Sequence, residues 1–114
     1  MLNQLAQPTF AASCAIELEN HGHCSKLSRA EKENATAAVF IEMNKWSAEH
    51  LPMGASAEIT EAAIKRGLQA VSNKFRNDPE LVKAYGFADP ITLLTVISAL
   101  FSIVGWIRNF LSRD

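Results

Sequence analysis

The sequence is short of almost everything that marks a recognisable chemistry. Eleven Lys and Arg against twelve Asp and Glu leave a formal net charge of -1. The basic residues are spread along the chain, so the long-range field that gathers nucleic acid is missing and no nucleic-acid partner is expected. The five glycines stand singly; without a glycine-rich loop to cradle phosphate, nucleotide binding has no support. No run of β-branched residues alternates with polar ones, so no strand is expected. The opening Met1-Leu2-Asn3-Gln4-Leu5-Ala6-Gln7-Pro8 lacks both the basic stretch and the apolar stretch of a secretory signal. The N-terminal region is accordingly placed in the cytoplasm, where Cys14 and Cys24 stay reduced.

What the sequence does contain is helical punctuation. Thr9 can cap a helix from about Phe10 to Asn20, which Gly22 ends. Ser28 and Glu31 form a capping box, opening a helix that runs to about His50. At 100° per residue Ala35, Val39, Phe40, Met43, Trp46 and Leu51 share one arc of it. Glu31, Asn34, Glu42, Lys45 and Glu49 are assigned to the water-facing side. Pro52 and Gly54 break that pattern, and Ser56 is a candidate cap for a helix from Ala57 to about Arg76. Its stripe of Ile64, Leu68, Val71 and Phe75 is narrow, as suits packing on one partner helix. Asp78-Pro79 opens a short helix that Gly86 ends, and Asp89-Pro90 opens the last one.

That last helix dominates the chain, because residues 91–107 carry no charge. On a helical wheel one half is bulky: Leu93, Leu94, Val96, Ile97, Leu100, Phe101, Ile103, Val104, Ile107 and Leu111. The other half is small and hydroxylated, with Thr92, Thr95, Ser98, Ala99, Ser102, Gly105, Asn109 and Ser112, and Ile91 and Trp106 as its only large members. A water-facing side normally carries charge. Small residues four apart instead let helices approach closely in lipid, or line a narrow pore in a ring of copies. Trp106 and Arg108 fit membrane-interface anchors. Against a span stands length, since 17 residues cover about 26 Å of a hydrocarbon layer roughly 30 Å thick.

Few residues suggest chemistry. Cys14, His21, His23 and Cys24 offer thiolate and imidazole donors within a short stretch, but their spacing matches no usual zinc pattern, and a plain loop explains them as well. Neither a catalytic constellation nor a cofactor is expected. The expected fold is all-α, a small bundle of four to five helices with an apolar C-terminal helix as a candidate membrane span. A helical region (1–86) would stay in water, and a membrane-associating helix (87–114) would follow. The expected function is a non-enzymatic, homo-oligomeric protein anchored to or inserted in a membrane by that helix, as a pore or as a virion or assembly component. The alternative is a soluble structural or adaptor oligomer that buries the helix in a subunit interface.

Overall fold

The computed structural model describes residues 8–50 and 60–111. Within them the chain forms six helices: α1 (Pro8–Asn20), α2 (Arg29–His50), α3 (Glu61–Asn77), α4 (Pro79–Ala84), α5 (Ile91–Phe101) and α6 (Val104–Leu111). The architecture is all-helical, and no strand occurs among the described residues. There is one helix more than the upper bound expected from sequence, because the C-terminal apolar segment is two helices and not one.

Most of the punctuation works as expected, with two exceptions. Helix α1 begins at Pro8, so Thr9 lies inside it and does not cap it. Helix α5 is entered through Pro90, with Asp89 Oδ1 accepting from the Ile91 amide at 2.8 Å one residue earlier than a cap would stand. The Ser28 amide donates to Glu31 Oε1 at 2.9 Å while the Glu31 amide donates to Ser28 Oγ at 3.1 Å, so the capping box closes in both directions. Asp78 Oδ1 accepts from the Leu81 amide at 3.1 Å and Pro79 occupies the first turn of α4. Gly22 and Gly86 take φ of 73° and 88°, the left-handed region that glycine enters without steric cost. The expected cap Ser56, with Leu51, Pro52, Gly54 and Ala57, lies outside the described residues. Inside them Thr60 Oγ1 accepts from the Ala63 amide at 3.1 Å and opens α3 at Glu61.

One core joins all six helices. The α3 stripe Ile64, Leu68, Val71 and Phe75 is buried as its spacing predicts. Gly67 on the same helix lets α2 come close: a Cβ there would stand 3.0 Å from Met43 Cε and 3.4 Å from the Trp46 ring. Helix α2 packs against α1, α3 and α5, and neighbours on several sides bury much of its circumference. Glu42, assigned to the water-facing side, is therefore inside, as is Lys32.

Residues 91–107 do not form the single helix expected of them. The chain bends by 77° between α5 and α6, and no single helix among the described residues is long and apolar enough to cross a membrane. Neither proline nor glycine stands at the break. The amides of Ser102 and Ile103 donate three residues back, to Ala99 and Leu100, and tighten the last turn of α5. The bend serves packing. It brings α6 against α3 and buries Ile103, Val104, Ile107 and Leu111. Phe10 meets both Phe110 (ring centroids 4.6 Å apart) and Trp106 (6.1 Å).

Candidate functional site

The two halves of the C-terminal segment face opposite ways. Leu93, Val96, Ile97 and Leu100 of α5 are in the core, whereas Thr95, Ser98 and Ser102 are exposed, beside an Ile91 that is 67% exposed. Ala99 is buried and Gly105 half-buried, so the small face is not a single open strip: three hydroxyls and Ile91 form its exposed part. Trp106 and Arg108 are both half-buried; the indole packs on Phe10 and Phe110. The result on α5 is an uncharged outer surface over an apolar inner one.

The thiol and imidazole groups do not converge. Cys14 is fully buried, and that burial, with the nearby Glu17 charge, pushes its thiol well above the ordinary range. Cys24 is half-buried and its thiol too is pushed up by desolvation, with Lys32 opposing. His21 holds Glu17 at 2.8 Å on the outside of α1, and the His21 and His23 rings lie 6.3 Å apart. Among the described residues no three His, Cys, Asp or Glu side chains come together as metal ligands would.

The polar centre that the molecule does build is Glu42. Its side chain has no exposed surface, yet it accepts from Lys74 Nζ at 2.8 Å, Lys45 Nζ at 3.1 Å and the Tyr85 hydroxyl at 2.5 Å. Burial alone would raise its pKa. The bonds from Lys74, Tyr85 and Lys45 outweigh that and hold it below the ordinary value of 4.5. Tyr85 is shifted the other way, upward, by desolvation and then by the adjacent carboxylate. A single side chain thus ties α2 to α3 and to the turn after α4. Sequence offered one hint: on the wheel Glu42 stands only about 20° from Ala35. Lys74 and Tyr85, 32 and 43 residues away, gave none.

A second carboxylate cluster stands at the edge of the core, with Lys32 buried, Glu19 half-buried and Arg29 exposed. Glu19 on α1 meets Arg29 Nη2 at 2.7 Å and Lys32 Nζ at 3.4 Å on α2, and the Arg29 hydrogen bond with both positive charges holds it down to about 2. It pins the α1–α2 hairpin. Between α2, the Tyr85–Gly86–Phe87 turn and the first turn of α5 there is also an open cleft of about 420 Å³. None of these features arranges a nucleophile, a base and an orienting group within reach of one another. Compared with protein-family models, with curated proteins and with solved structures, the chain matches none of them.

Proposed function

We propose that this chain is a non-enzymatic helical structural or adaptor protein that uses α5 and α6 as part of its own core and self-associates through the uncharged outer face of α5. The observation that carries this reading is the division of α5: Leu93, Val96, Ile97 and Leu100 are inside and Leu94 and Phe101 half-buried, while Thr95, Ser98 and, just after the helix, Ser102 face outward with Ile91. A surface of small hydroxyls and one aliphatic side chain holds no charge that a partner must desolvate, and association removes the Ile91 side chain from water. The two thiols count against one class of enzyme, that with a cysteine nucleophile, since such a cysteine needs access and a stabilised thiolate and both here are displaced toward the neutral form. The test is light scattering on the full-length chain without detergent, together with flotation on phospholipid vesicles. A defined oligomer that stays in the aqueous fraction is the expected result; flotation with the vesicles would reject this reading.

A second reading has one observation in its favour. Taken together, Ile91–Phe101 and Val104–Leu111 have the length and hydropathy of a span, broken by their bend. In that reading the pair leaves the core and enters a membrane with Trp106 and Arg108 near its surface, and a ring of copies lines a pore with Ser98 and Ser102. Conductance that is unchanged by Ser102→Leu would reject the pore.

A further inference from the structure

The cleft beside the Tyr85–Gly86–Phe87 turn is lined mainly by α2 and that turn, and reaches the outer face of α5 only at Thr92. It exists because α2 presents two alanines, Ala37 and Ala38, where larger side chains would fill the space, and because Gly86 at φ 88° turns the chain sharply. Its volume of about 420 Å³ lies within the ordinary range for small organic ligands, roughly 300–1,000 Å³. Burial orders the lining from inside to outside. Ala38 is buried, Ala37, Ile41, Phe87 and Thr92 are half-buried, and Glu31 and Asn34 are exposed. The apolar side chains and the Tyr85 ring, with the Thr92 hydroxyl among them, lie deeper, and the carboxylate and amide stand at the mouth with Gly86.

The charge at that mouth has one sign. Among the described residues Glu31 is the only ionisable lining group apart from Tyr85, and no lysine, arginine or histidine lines the cleft. The Tyr85 hydroxyl is committed to Glu42, so the phenol offers the cleft only its ring. The nearest basic residues along α2, Arg29 and Lys32, are held by Glu19. Glu31 is itself positioned, since Oε1 accepts from the Ser28 amide; a carboxylate has room for further donors beyond that one bond. An anionic ligand would meet this carboxylate with no compensating cation, whereas a cationic one gains a charge-assisted hydrogen bond at the edge of an apolar recess.

We infer that the cleft is a binding site for a small organic cation, a protonated amine carried on an apolar single-ring or short-chain body. The body lies on Ala37, Ala38, Ile41 and Phe87, and the ammonium faces Glu31 and Asn34.

The experiment is a nitrogen–proton correlation NMR titration of the full-length chain at low salt. It uses 4-phenylbutylamine and two molecules of the same shape, 4-phenylbutyrate and 4-phenylbutanol. Saturable shifts confined to the amides lining the cleft, with the amine at least about tenfold tighter than the acid, are expected from one charge-assisted bond. Glu31→Gln keeps an acceptor for the Ser28 amide; it should weaken the amine about tenfold and erase its advantage over the alcohol. Ala37→Leu, on a half-exposed position, should fill the cleft and remove binding of all three. Equal or tighter binding of the acid, shifts centred elsewhere, no saturation with the amine, or full affinity in Ala37→Leu would each overturn the assignment. If Ala37→Leu loses its fold by circular dichroism, the Glu31→Gln comparison still decides.

Discussion

Helices α3 and α5 bury the same kind of face and show water opposite ones. Inside, Ile64, Leu68, Val71 and Phe75 of α3 share one core with Leu93, Val96, Ile97 and Leu100 of α5. Outside, α3 carries Lys65, Arg66, Gln69 and Asn73, with Gln69 bonded to Asn73 at 3.2 Å, whereas α5 carries Ile91, Thr95 and Ser98, followed by Ser102 in the break after it. The inward side of a helix is set by what it packs on, and the outward side need only tolerate water. Hydroxyls satisfy that condition as well as charge does. An uncharged helix is therefore not by that fact a membrane helix; α5 is two-sided like α3, though less sharply, with the contrast drawn between bulk and hydroxyl.

The largest expected effect tests whether the two inner faces are equivalent. Leu68→Ala and Leu100→Ala each remove a fully buried side chain, and each should cost about 2–5 kcal/mol in urea denaturation. A near-silent Leu100→Ala beside a costly Leu68→Ala would break the comparison, because it would mean that α5 is not packed in the core in solution.

Glu42 comes next. Glu42→Gln removes the charge that Lys74, Lys45 and Tyr85 share. The two lysines are about half exposed at 51% and 58% and can turn to water, so the loss should be about 1–3 kcal/mol, below that of a pair sealed on both sides. Glu19→Gln, whose carboxylate is partly exposed and whose closest partner Arg29 stands in solvent, should lose less than Glu42→Gln in the same assay. The pH dependence has a definite sign. Glu42 and Glu19 have folded-state pKa values below the ordinary 4.5, Glu19 at about 2, so the stability they contribute is present above about 4.5 and is lost as pH falls toward 2. Cys14 and Tyr85 are displaced upward; they remain neutral when folded, and stability falls again as pH rises past their ordinary values of 9.0 and 10.0. Denaturation midpoints measured across pH should show a plateau between these limits, and the acid limb should shrink in Glu42→Gln.

Gly67 sharpens the comparison from the α3 side, where the neighbour is α2. A Cβ at this position already touches the Met43 methyl at 3.0 Å, so Gly67→Leu must displace the Met43 and Trp46 side chains and should cost about 1–3 kcal/mol by thermal or urea denaturation. The equivalent change on the outer face of α5, Ser98→Leu, falls on an exposed position and should leave monomer stability unchanged.

Local grammar was legible in the sequence, and long-range arrangement was not. Ser28 with Glu31 and Asp78 with Pro79 announce helix starts because capping involves residues within three of each other. The α3 stripe is equally readable from spacing. The bend at Ser102–Ile103 has no proline or glycine to announce it; it follows from docking α6 on α3, a contact between distant segments. The same limit hid Glu42, whose partners come from α3 and from the turn after α4, and the cleft, where Ala37 and Ala38 face Phe87. Cys14, His21, His23 and Cys24 illustrate the converse. They are neighbours in sequence, but α1 puts the first in the core and the turn leaves His21 outside.

The smallest effect on stability carries the most information about function. Ser98→Glu places a charge on the exposed outer face of α5, and Gln69→Glu places the same charge on the exposed outer face of α3. Within a monomer both are surface changes and should shift unfolding by no more than about 0.5 kcal/mol. Their consequences for assembly should differ. Buried in a contact between copies, the carboxylate introduced on α5 would have to shed water without a cation to receive it, a cost that surface packing of small residues cannot offset. Ser98→Glu should therefore lower the mass measured by light scattering toward that of the monomer, while Gln69→Glu leaves it unchanged. If both variants keep the parent's mass, the α5 face is open to water in the assembled protein, and self-association uses another surface.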